Sequence, residues 1–167
     1  MKERPILFSA EMVRAILDGR KTKTRRPKKG NAAPCAVGDV LWARETWRAE
    51  ELPSGEDGVR FAADNAFVRI ANTAAAADLW CDAHRNGKYG AKWRPSIHMP
   101  RWAARIFLKV TDVRIERIQA ITEDDARAEG ASSVDAFCAL WDSTYGAGAW
   151  NRNEWVWALT FERVEAP

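Results

Sequence analysis

The sequence predicts a small α+β protein in which short strands form a β-barrel and two or three helices lie at its periphery. Residues 38–47 and 155–164 carry large apolar side chains at a period of two, as β-strands do. Short apolar stripes of helical period follow Ser9, Thr122 and Ser133, which are residue types that cap helices. Short strands with few helices and no internal repeat favour one domain over residues 1–167.

The composition agrees with one cytoplasmic domain. With 167 residues, 47% of them hydrophobic, the chain has enough apolar material for a single core. It has no long apolar run, and its start, MKERPILF, does not resemble a signal peptide, so we expect an unexported monomer without a membrane partner. The three cysteines are widely spaced and indicate reduced thiols. Cys81 and His84 have a metal-like spacing but no second ligand pair, so no metal or other cofactor is expected.

The first elements are a helix and a polar strand. Ser9 is placed to cap a helix over about 10–18, and Gly19 is placed to end it. The next segment, KTKTRR, is too polar for a buried central strand and suits one that lines a cleft or an edge. Pro27 is expected to stop that strand.

The middle of the chain combines a strand with a less regular stretch. Residues 38–47 begin with a turn and then alternate, which predicts a strand. Residues 59–63 indicate another strand and residues 73–85 an alanine-rich helix. We interpret about 50–92 as an elaboration on the barrel.

The last third is predicted with clearer boundaries. Thr122 is expected to cap a helix through Glu129 that Gly130 ends, and Ser133 to cap the next helix. Residues 155–164 are apolar on both faces, which favours a closing strand of the barrel covered by helix.

Positive charge is concentrated near the start of the chain. Residues 1–30 hold ten Lys or Arg against three acids. Seven of these cations follow the first helix without an intervening acid: Arg20, Lys21, Lys23, Arg25, Arg26, Lys28 and Lys29. Such a field attracts phosphate or another anion, although a solvated basic loop is the simpler interpretation of Lys28 and Lys29.

Nine tryptophans are many for a chain of 167 residues. Aromatic faces beside Arg and Lys suit stacking on a base, with about 1 to 3 kcal/mol per stacked base. We expect Trp42, Trp47 and Trp93 to line such a site. The core periodicity of Trp141, Trp155 and Trp157 indicates structural roles for those three.

Five segments, taken in order, resemble the longer ASCH proteins of bacteria and their phages. They are ILDGRKTKTRR (16–26), GDVLWARETW (38–47), WRPSIHMPRWAARI (93–106), ITEDDARAEG (121–130) and WVWALTFERV (155–164). Their order and spacing match over nearly the whole chain. The resemblance implies a PUA-like β-barrel with a cleft for RNA or nucleosides.

A shorter branch of that family is an amidohydrolase that removes the acyl group of N4-acetylcytidine with a lysine, a threonine and a glutamate. The resemblance assigns these roles to Lys21, Thr24 and Glu129. Amide hydrolysis needs an activated nucleophile and a base, which Thr24 and a deprotonated Lys21 supply. Lys21 and Thr24 differ in strand parity, so the turn after the first helix must direct Lys21 inward. The chain departs from the short branch at Lys23 and Arg25, where that branch has apolar residues.

The alternative function is a single-stranded RNA-binding module, with ribonuclease activity in one branch of the family. The substrate-binding or nucleic-acid-binding candidates for either function are Arg20, Lys23, Arg25, Arg26, Trp42, Arg44, Glu45, Trp47, Trp93, Ser96 and His98. Arg44 and Glu45 form either a structural pair or a cleft lining. A ribonuclease would use His98 with Lys21 for acid–base chemistry.

Overall fold

The computed structural model describes residues 1–84 and 92–167 and confirms the α+β class. The strands are β1 (Glu3–Leu7), β2 (Lys23–Pro27), β3 (Val40–Arg44), β4 (Trp47–Glu51), β5 (Asp57–Phe61), β6 (Phe67–Arg69), β7 (Phe107–Arg117) and β8 (Trp155–Val164). The α-helices are α1 (Ala10–Leu17), α2 (Ala74–His84), α3 (Glu123–Ala128) and α4 (Val134–Tyr145). The described residues therefore hold four α-helices, where the sequence predicted two or three.

The described strands form two sheets. The larger sheet has the order β1-β3-β7-β8-β2, and the smaller one has the order β4-β5-β6. In the described part of the chain, β1 and β2 stand at the two ends of the larger sheet, and no pairing closes it. Among the same residues, no helix is both long and apolar enough to cross a bilayer.

The chain divides into two compact units, which are described in turn. The first unit comprises Met1–Arg4, Ala15–Leu41 and Leu108–Val164. The second comprises Pro5–Arg14, Trp42–Phe107 and Glu165–Pro167.

In the first unit, helices α3 and α4 begin at the predicted caps. The Thr122 hydroxyl accepts a hydrogen bond from the Asp125 N–H at 3.1 Å, and the Ser133 hydroxyl accepts one from the Ala136 N–H at 3.1 Å. Each bond satisfies a backbone donor that has no partner within the helix. The apolar residues of this part of the unit share one buried cluster: Ile118, Ile121, Ala126, Phe137, Trp141, Ala149 and Val156.

The pairing of β2 with β8 decides where the polar groups of β2 point. Thr24 lies opposite Leu159 and Arg25 opposite Ala158. The Thr22 carbonyl accepts from the Phe161 N–H, and the Lys28 N–H donates to the Trp155 carbonyl, both at 2.9 Å. Backbone groups alternate in direction along an antiparallel strand, so the carbonyls of Lys23 and Arg25 point away from β8, along the outer edge of β2.

One of the three tryptophans assigned to the core lies elsewhere. Trp141 and Trp157 are buried as predicted, whereas Trp155 is 48% exposed. Trp155 is the first residue of β8, just beyond the last pairing of β8 with β2 at Pro27, and the Arg117 guanidinium lies 4.2 Å from its ring centroid. Strand periodicity predicts the face of the sheet to which a side chain points. It does not predict whether other residues pack over that face at the end of the strand, where Trp155 lies.

In the second unit, the predicted elaboration has a sheet and a helix of its own. Strands β4, β5 and β6 pair in antiparallel fashion, and the indole N–H of Trp80 in α2 donates to the Gly58 carbonyl at 2.8 Å. The shared core consists of Trp47, Ala49, Val59, Phe61, Trp80, Ala83, Met99 and Ala103. The expected strand at 59–63 is β5, two residues earlier, and the expected helix at 73–85 is α2. Residues 85–91 of the elaboration lie outside the described residues.

Gly130 gives a test of the packing in the first unit. Its φ of +91° lies in the left-handed region, and a Cβ there would lie 3.0 Å from the Ala15 Cβ. We predict that Gly130→Ala lowers the free energy of unfolding by about 1 to 2 kcal/mol for the backbone conformation and by a further ~1 to 3 kcal/mol for the crowding. Gly19→Ala is the matched control, because Gly19 has a φ of +76° with nothing within 4 Å of the added Cβ. Equal losses in urea denaturation would contradict the close approach at Gly130.

Candidate active site

The turn after α1 directs Lys21 into the interior of the first unit. The Gly19 N–H donates to the Ile16 carbonyl and the Lys21 N–H to the Ala15 carbonyl, both at 3.0 Å. Gly19 adopts a positive φ of +76°, which ends the helix as predicted. Lys21 is consequently only 2% exposed. Lys21 precedes β2, so its side chain does not follow the alternation of that strand. The turn after α1 directs it inward, as the assignment of Lys21 to the site requires.

Three oxygen atoms surround the Lys21 ammonium. Its Nζ donates to the Glu129 Oε2 at 2.8 Å, to the Glu129 carbonyl at 2.9 Å and to the Lys23 carbonyl at 2.8 Å. The last of these oxygens is on the outer edge of β2. An ammonium has three donors, and this cage offers three acceptors, so the charge is compensated where water does not reach it.

Glu129 stands at the C-terminal end of α3, where the helix dipole disfavours an acid. The structure shows what offsets that cost. One carboxylate oxygen accepts from Lys21, and the other accepts from Nη1 of Arg25 at 3.1 Å. The side chain is buried, and Gly130 directly after it packs against the aliphatic part of Lys21. The structure thus brings two of the three predicted catalytic residues together.

Arg25 holds the outer side of this arrangement. Its Nε donates to Glu116 Oε1 at 2.7 Å and its Nη2 to Asp125 Oδ2 at 2.9 Å. Asp125 also pairs with the Lys23 ammonium. Three cations and three carboxylates therefore form one network of ion pairs that is buried or half-buried. Its members are Lys21, Lys23, Arg25, Glu116, Asp125 and Glu129.

The basic run is largely neutralised in three dimensions. Arg20 pairs with Asp18 at 3.1 Å, and Lys28 donates to the Gly30 carbonyl at 2.7 Å. Lys21, Lys23 and Arg25 pair with acids that lie about a hundred positions away in sequence. The charges of Lys23 and Arg25, which we expected to attract phosphate or another anion, are thus paired with acids of the same unit.

The surroundings of Lys21 lower the pKa of its amine. Burial lowers its pKa from the ordinary 10.5, the charge and hydrogen bonds of Glu129 oppose that shift, and the nearby charges of Arg26 and Arg25 add to it. The net direction is downward, so the amine loses its proton more readily than an exposed lysine. A lowered pKa is the direction of shift that the assignment of Lys21 as a base requires.

Thr24 is the third predicted catalytic residue, and it is fully buried at 0% exposure. Its hydroxyl oxygen accepts a hydrogen bond from Nη1 of Arg26 at 2.6 Å, and the same nitrogen donates to the Arg25 carbonyl at 3.0 Å. Arg26 and Lys21 thus contact successive outward carbonyls of β2, those of Arg25 and Lys23, which lie about 7 Å apart along a strand. The described contact of the Thr24 hydroxyl is to Arg26.

The tryptophan candidates belong to the second unit and differ in exposure. Trp47 is 0% exposed, with the Trp102 ring centroid 5.7 Å and the Arg94 guanidinium 4.9 Å from its own. Trp42 is also buried, and Arg44 lies over it at 4.8 Å. The expectation that these two rings offer faces to a base is contradicted by their burial.

Trp93, by contrast, is 43% exposed, with the Arg48 guanidinium 4.7 Å from its ring centroid. His98 is exposed at the end of a short 3₁₀ turn, and Ser96 at its start is half-buried. Arg44 donates to the Ile97 carbonyl at 3.3 Å. The segment PSIHMPR thus contains a short turn, and Trp93, two residues before it, exposes its ring.

Glu45 pairs with Arg105 rather than with Arg44. The Arg105 Nε and Nη2 donate to the two Glu45 oxygens at 2.8 Å each, and its Nη1 and Nη2 donate to Asp64 at 2.9 Å. Burial raises the pKa of the Glu45 carboxyl against the effect of Arg105. These hydrogen bonds of Arg105 connect the residue after β3, the β5–β6 turn and the segment before β7. Glu45 therefore has a structural role in the second unit.

Sequence reasoning missed several residues of the site. Glu116, Asp125 and Arg105 are separated from their partners by 60 to 100 positions, and nothing local marks the pairings. Tyr145, half-buried at the end of α4, lies 4.4 Å from the Trp141 ring centroid. Burial raises the pKa of Tyr145. The charge of Arg26 opposes that shift and the charge of Glu129 adds to it, because both groups lie near the phenol.

The comparisons with known proteins give structural neighbours without a function. No protein-family model and no curated protein sequence matches the chain. The crystal structure of hypothetical protein PH0355 aligns over 98% of this chain and 100% of its own, with a TM-score of 0.49 and 12% identity. The crystal structure of protein EF3133 from Enterococcus faecalis V583, described as a member of DUF984, aligns over 99% of this chain and 81% of its own, with a TM-score of 0.47 and 11% identity. Neither likeness assigns a family or an activity.

The charge network makes stability depend on pH through Asp125. Burial opposes ionisation of this carboxyl, but Lys23 and Arg25 prevail and lower its pKa below the ordinary 3.8. The resulting stabilisation is present above pH 3.8 and is lost as the pH falls through the lower folded-state pKa.

We predict that Asp125→Asn lowers the free energy of unfolding at pH 7 by about 1 to 3 kcal/mol, and that this deficit shrinks in acid. Asp124→Asn is the control, because Asp124 is exposed in the same turn of α3 and pairs only with an exposed Arg127 in the described contacts. Urea unfolding at a series of pH values measures both. A deficit of the same size at pH 2.5 and pH 7 would contradict the proposed origin.

Proposed function

We propose that the protein is a PUA-like member of the ASCH family that hydrolyses the N4-acyl amide of a cytidine-type nucleoside. The observation that carries the proposal is the buried Lys21, which Glu129 holds at the outer edge of β2, the strand that contains Thr24. The ordered motifs of the chain and its α+β class support the family, and the closed barrel that the family implies is part of the proposal. Free thiols at all three cysteines accord with a cytoplasmic setting, where we place the protein as a monomer.

In the proposed reaction, neutral Lys21 takes the proton of the Thr24 hydroxyl as Oγ1 bonds to the acyl carbon. The carbonyl π electrons move to the acyl oxygen. Their return breaks the C–N4 bond, and the Lys21 ammonium protonates the departing amine of the nucleoside. Water then hydrolyses the Thr24 ester and releases the acid. Glu129 keeps the Lys21 amine in position and stabilises its charged form between the two proton transfers.

The neutralised cations favour a nucleoside over a polynucleotide at this site. A polynucleotide site uses cations that release counterions when they meet phosphate. Lys21, Lys23 and Arg25 are already paired with carboxylates, so a phosphate would have to compete with three buried or half-buried acids. An uncharged nucleoside requires no such exchange. Because Thr24 is fully buried, the substrate must displace side chains at the edge of β2 to reach it.

Replacement of the nucleophile tests this proposal. We predict that Thr24→Ala abolishes acetate release from N4-acetylcytidine while the affinity for cytidine changes less than about threefold, because one hydroxyl and no charge is lost. Thr22→Ala is the matched control, since Thr22 is exposed and its described contacts are made by its backbone. Turnover by Thr24→Ala at the wild-type rate would end the assignment.

The alternative function, binding of single-stranded RNA with or without ribonuclease activity, is favoured by one observation in the second unit. Trp93 exposes its ring beside the Arg48 guanidinium, and His98 is exposed within the same segment. An exposed aromatic ring flanked by an arginine is a platform on which bases of any sequence stack.

If RNA is the ligand, Trp93→Ala weakens binding of an oligouridine by about 1 to 3 kcal/mol, and log affinity falls steeply against log salt. Trp155→Ala is the control, because Trp155 is equally exposed and also lies beside an arginine. Fluorescence titrations at several salt concentrations measure both. Oligouridine affinity that is weak, independent of salt and equal in the two variants would exclude this alternative.

A further inference from the structure

Arg26 is the group in direct contact with the Thr24 hydroxyl. Its Nη1 donates to the Thr24 Oγ1 at 2.6 Å, a short separation for a hydrogen bond to a hydroxyl. The Arg25 carbonyl, 3.0 Å from the same nitrogen, fixes the guanidinium against the edge of β2. This contact joins side chains two positions apart on one face of the strand, so the strand itself sets the geometry.

A guanidinium at this place changes the chemistry of the hydroxyl. Because the Thr24 oxygen accepts from Arg26, its own proton is left for another acceptor. A permanent positive charge at 2.6 Å stabilises the alkoxide more than the neutral hydroxyl, and arginine does not lose its proton in proteins. The same charge lowers the Lys21 pKa and so favours the neutral amine that would take the proton.

We propose that Arg26 is a catalytic residue that activates Thr24 and then binds the oxyanion of the tetrahedral intermediate. The inference rests on the proposed function. When Oγ1 bonds to the acyl carbon, the carbonyl electron pair moves to an oxygen that is two bonds from Oγ1. Because both oxygens are bonded to the same acyl carbon, a guanidinium in contact with Oγ1 also lies close to the oxygen on which the negative charge develops. Collapse of the intermediate returns the electron pair and expels the nucleoside amine.

Arg25 provides the contrast within the same strand. Its guanidinium is held by Glu116, Asp125 and Glu129 on the opposite face of β2, so its charge is used by the buried network. The structure thus separates two neighbouring arginines by role: Arg25 supports Glu129, and Arg26 contacts the nucleophile. An anion-binding role for both, as the basic run suggested, does not follow from these contacts.

The test measures acylation of Thr24 by p-nitrophenyl acetate, an activated ester, which does not require the natural substrate to be known. In the wild-type protein, mass spectrometry of the peptide is expected to find the acetyl group on Thr24. Arg26→Ala is expected to slow this acylation by about 10²- to 10³-fold, the effect typical of losing one oxyanion donor. Millimolar guanidinium is expected to restore part of the rate, and Arg26→Lys is expected to keep part of it.

Two further variants separate catalysis from folding and from binding. Arg26→Gln keeps a hydrogen-bond donor without the charge, and it replaces Arg26→Ala if the latter does not fold. Arg114→Ala, which removes an exposed arginine paired with Asp112, is expected to acylate at the wild-type rate. Cytidine affinity is expected to stay within about threefold in all folded variants, because the proposed contact is made to the reacting oxygens.

Several results would overturn the inference. The first is a wild-type protein that is not acylated on Thr24, and the second is an Arg26→Ala variant that is acylated at the wild-type rate. The third is a lower acylation rate that parallels a loss of cytidine affinity and is not restored by guanidinium. Failure of the proposed function is a different result: the wild-type protein is acylated by the ester but does not release acetate from N4-acetylcytidine. In that case the Arg26 comparison still decides the role of Arg26.

Discussion

The burial of the Lys21 ammonium is the constraint on which the first unit depends. Removing a cation from water costs several kcal/mol, which attraction and hydrogen bonds must offset. The offset here comes from the Glu129 carboxylate and from two carbonyls, those of Glu129 and Lys23. The end of α1, the edge of β2 and the end of α3 must therefore meet around one nitrogen. Gly130 permits that meeting, because its lack of a side chain leaves room for Ala15 and Lys21.

Glu129 serves two cations at once, and this sharing links stability to the proposed chemistry. Arg25 takes one carboxylate oxygen and is itself held by Glu116 and Asp125, so the carboxylate that holds Lys21 cannot move freely. A carboxylate devoted to Lys21 alone would stabilise the ammonium more strongly. Burial and the charges of Arg26 and Arg25 leave the pKa of the amine below its ordinary value, although the Glu129 carboxylate opposes that shift. The contacts that hold Lys21 in the first unit are thus the ones on which its proposed role as a base rests.

The sequence predicted what local interactions determine. Ser9, Thr122 and Ser133 cap their helices as expected, because a cap bond involves only neighbouring residues. It did not predict the partners of Arg25 or Glu45, since pairing over 60 to 100 positions is set by the assembled fold. It also misplaced Trp155, because alternation does not say where a covering layer ends. Lys21 and Glu129 were assigned as site residues by family resemblance.

The ionisation of Lys21 is the property that decides whether this amine can act as a base. Selective labelling of lysine side chains and an NMR pH titration report the pKa of each amine, and a Lys21→Met variant assigns the signal of Lys21. We predict that Lys21 titrates below the ordinary lysine pKa of 10.5. A Lys21 signal that titrates at pH 10.5 or above would contradict this prediction, because the amine would then be an ordinary paired cation and not a base.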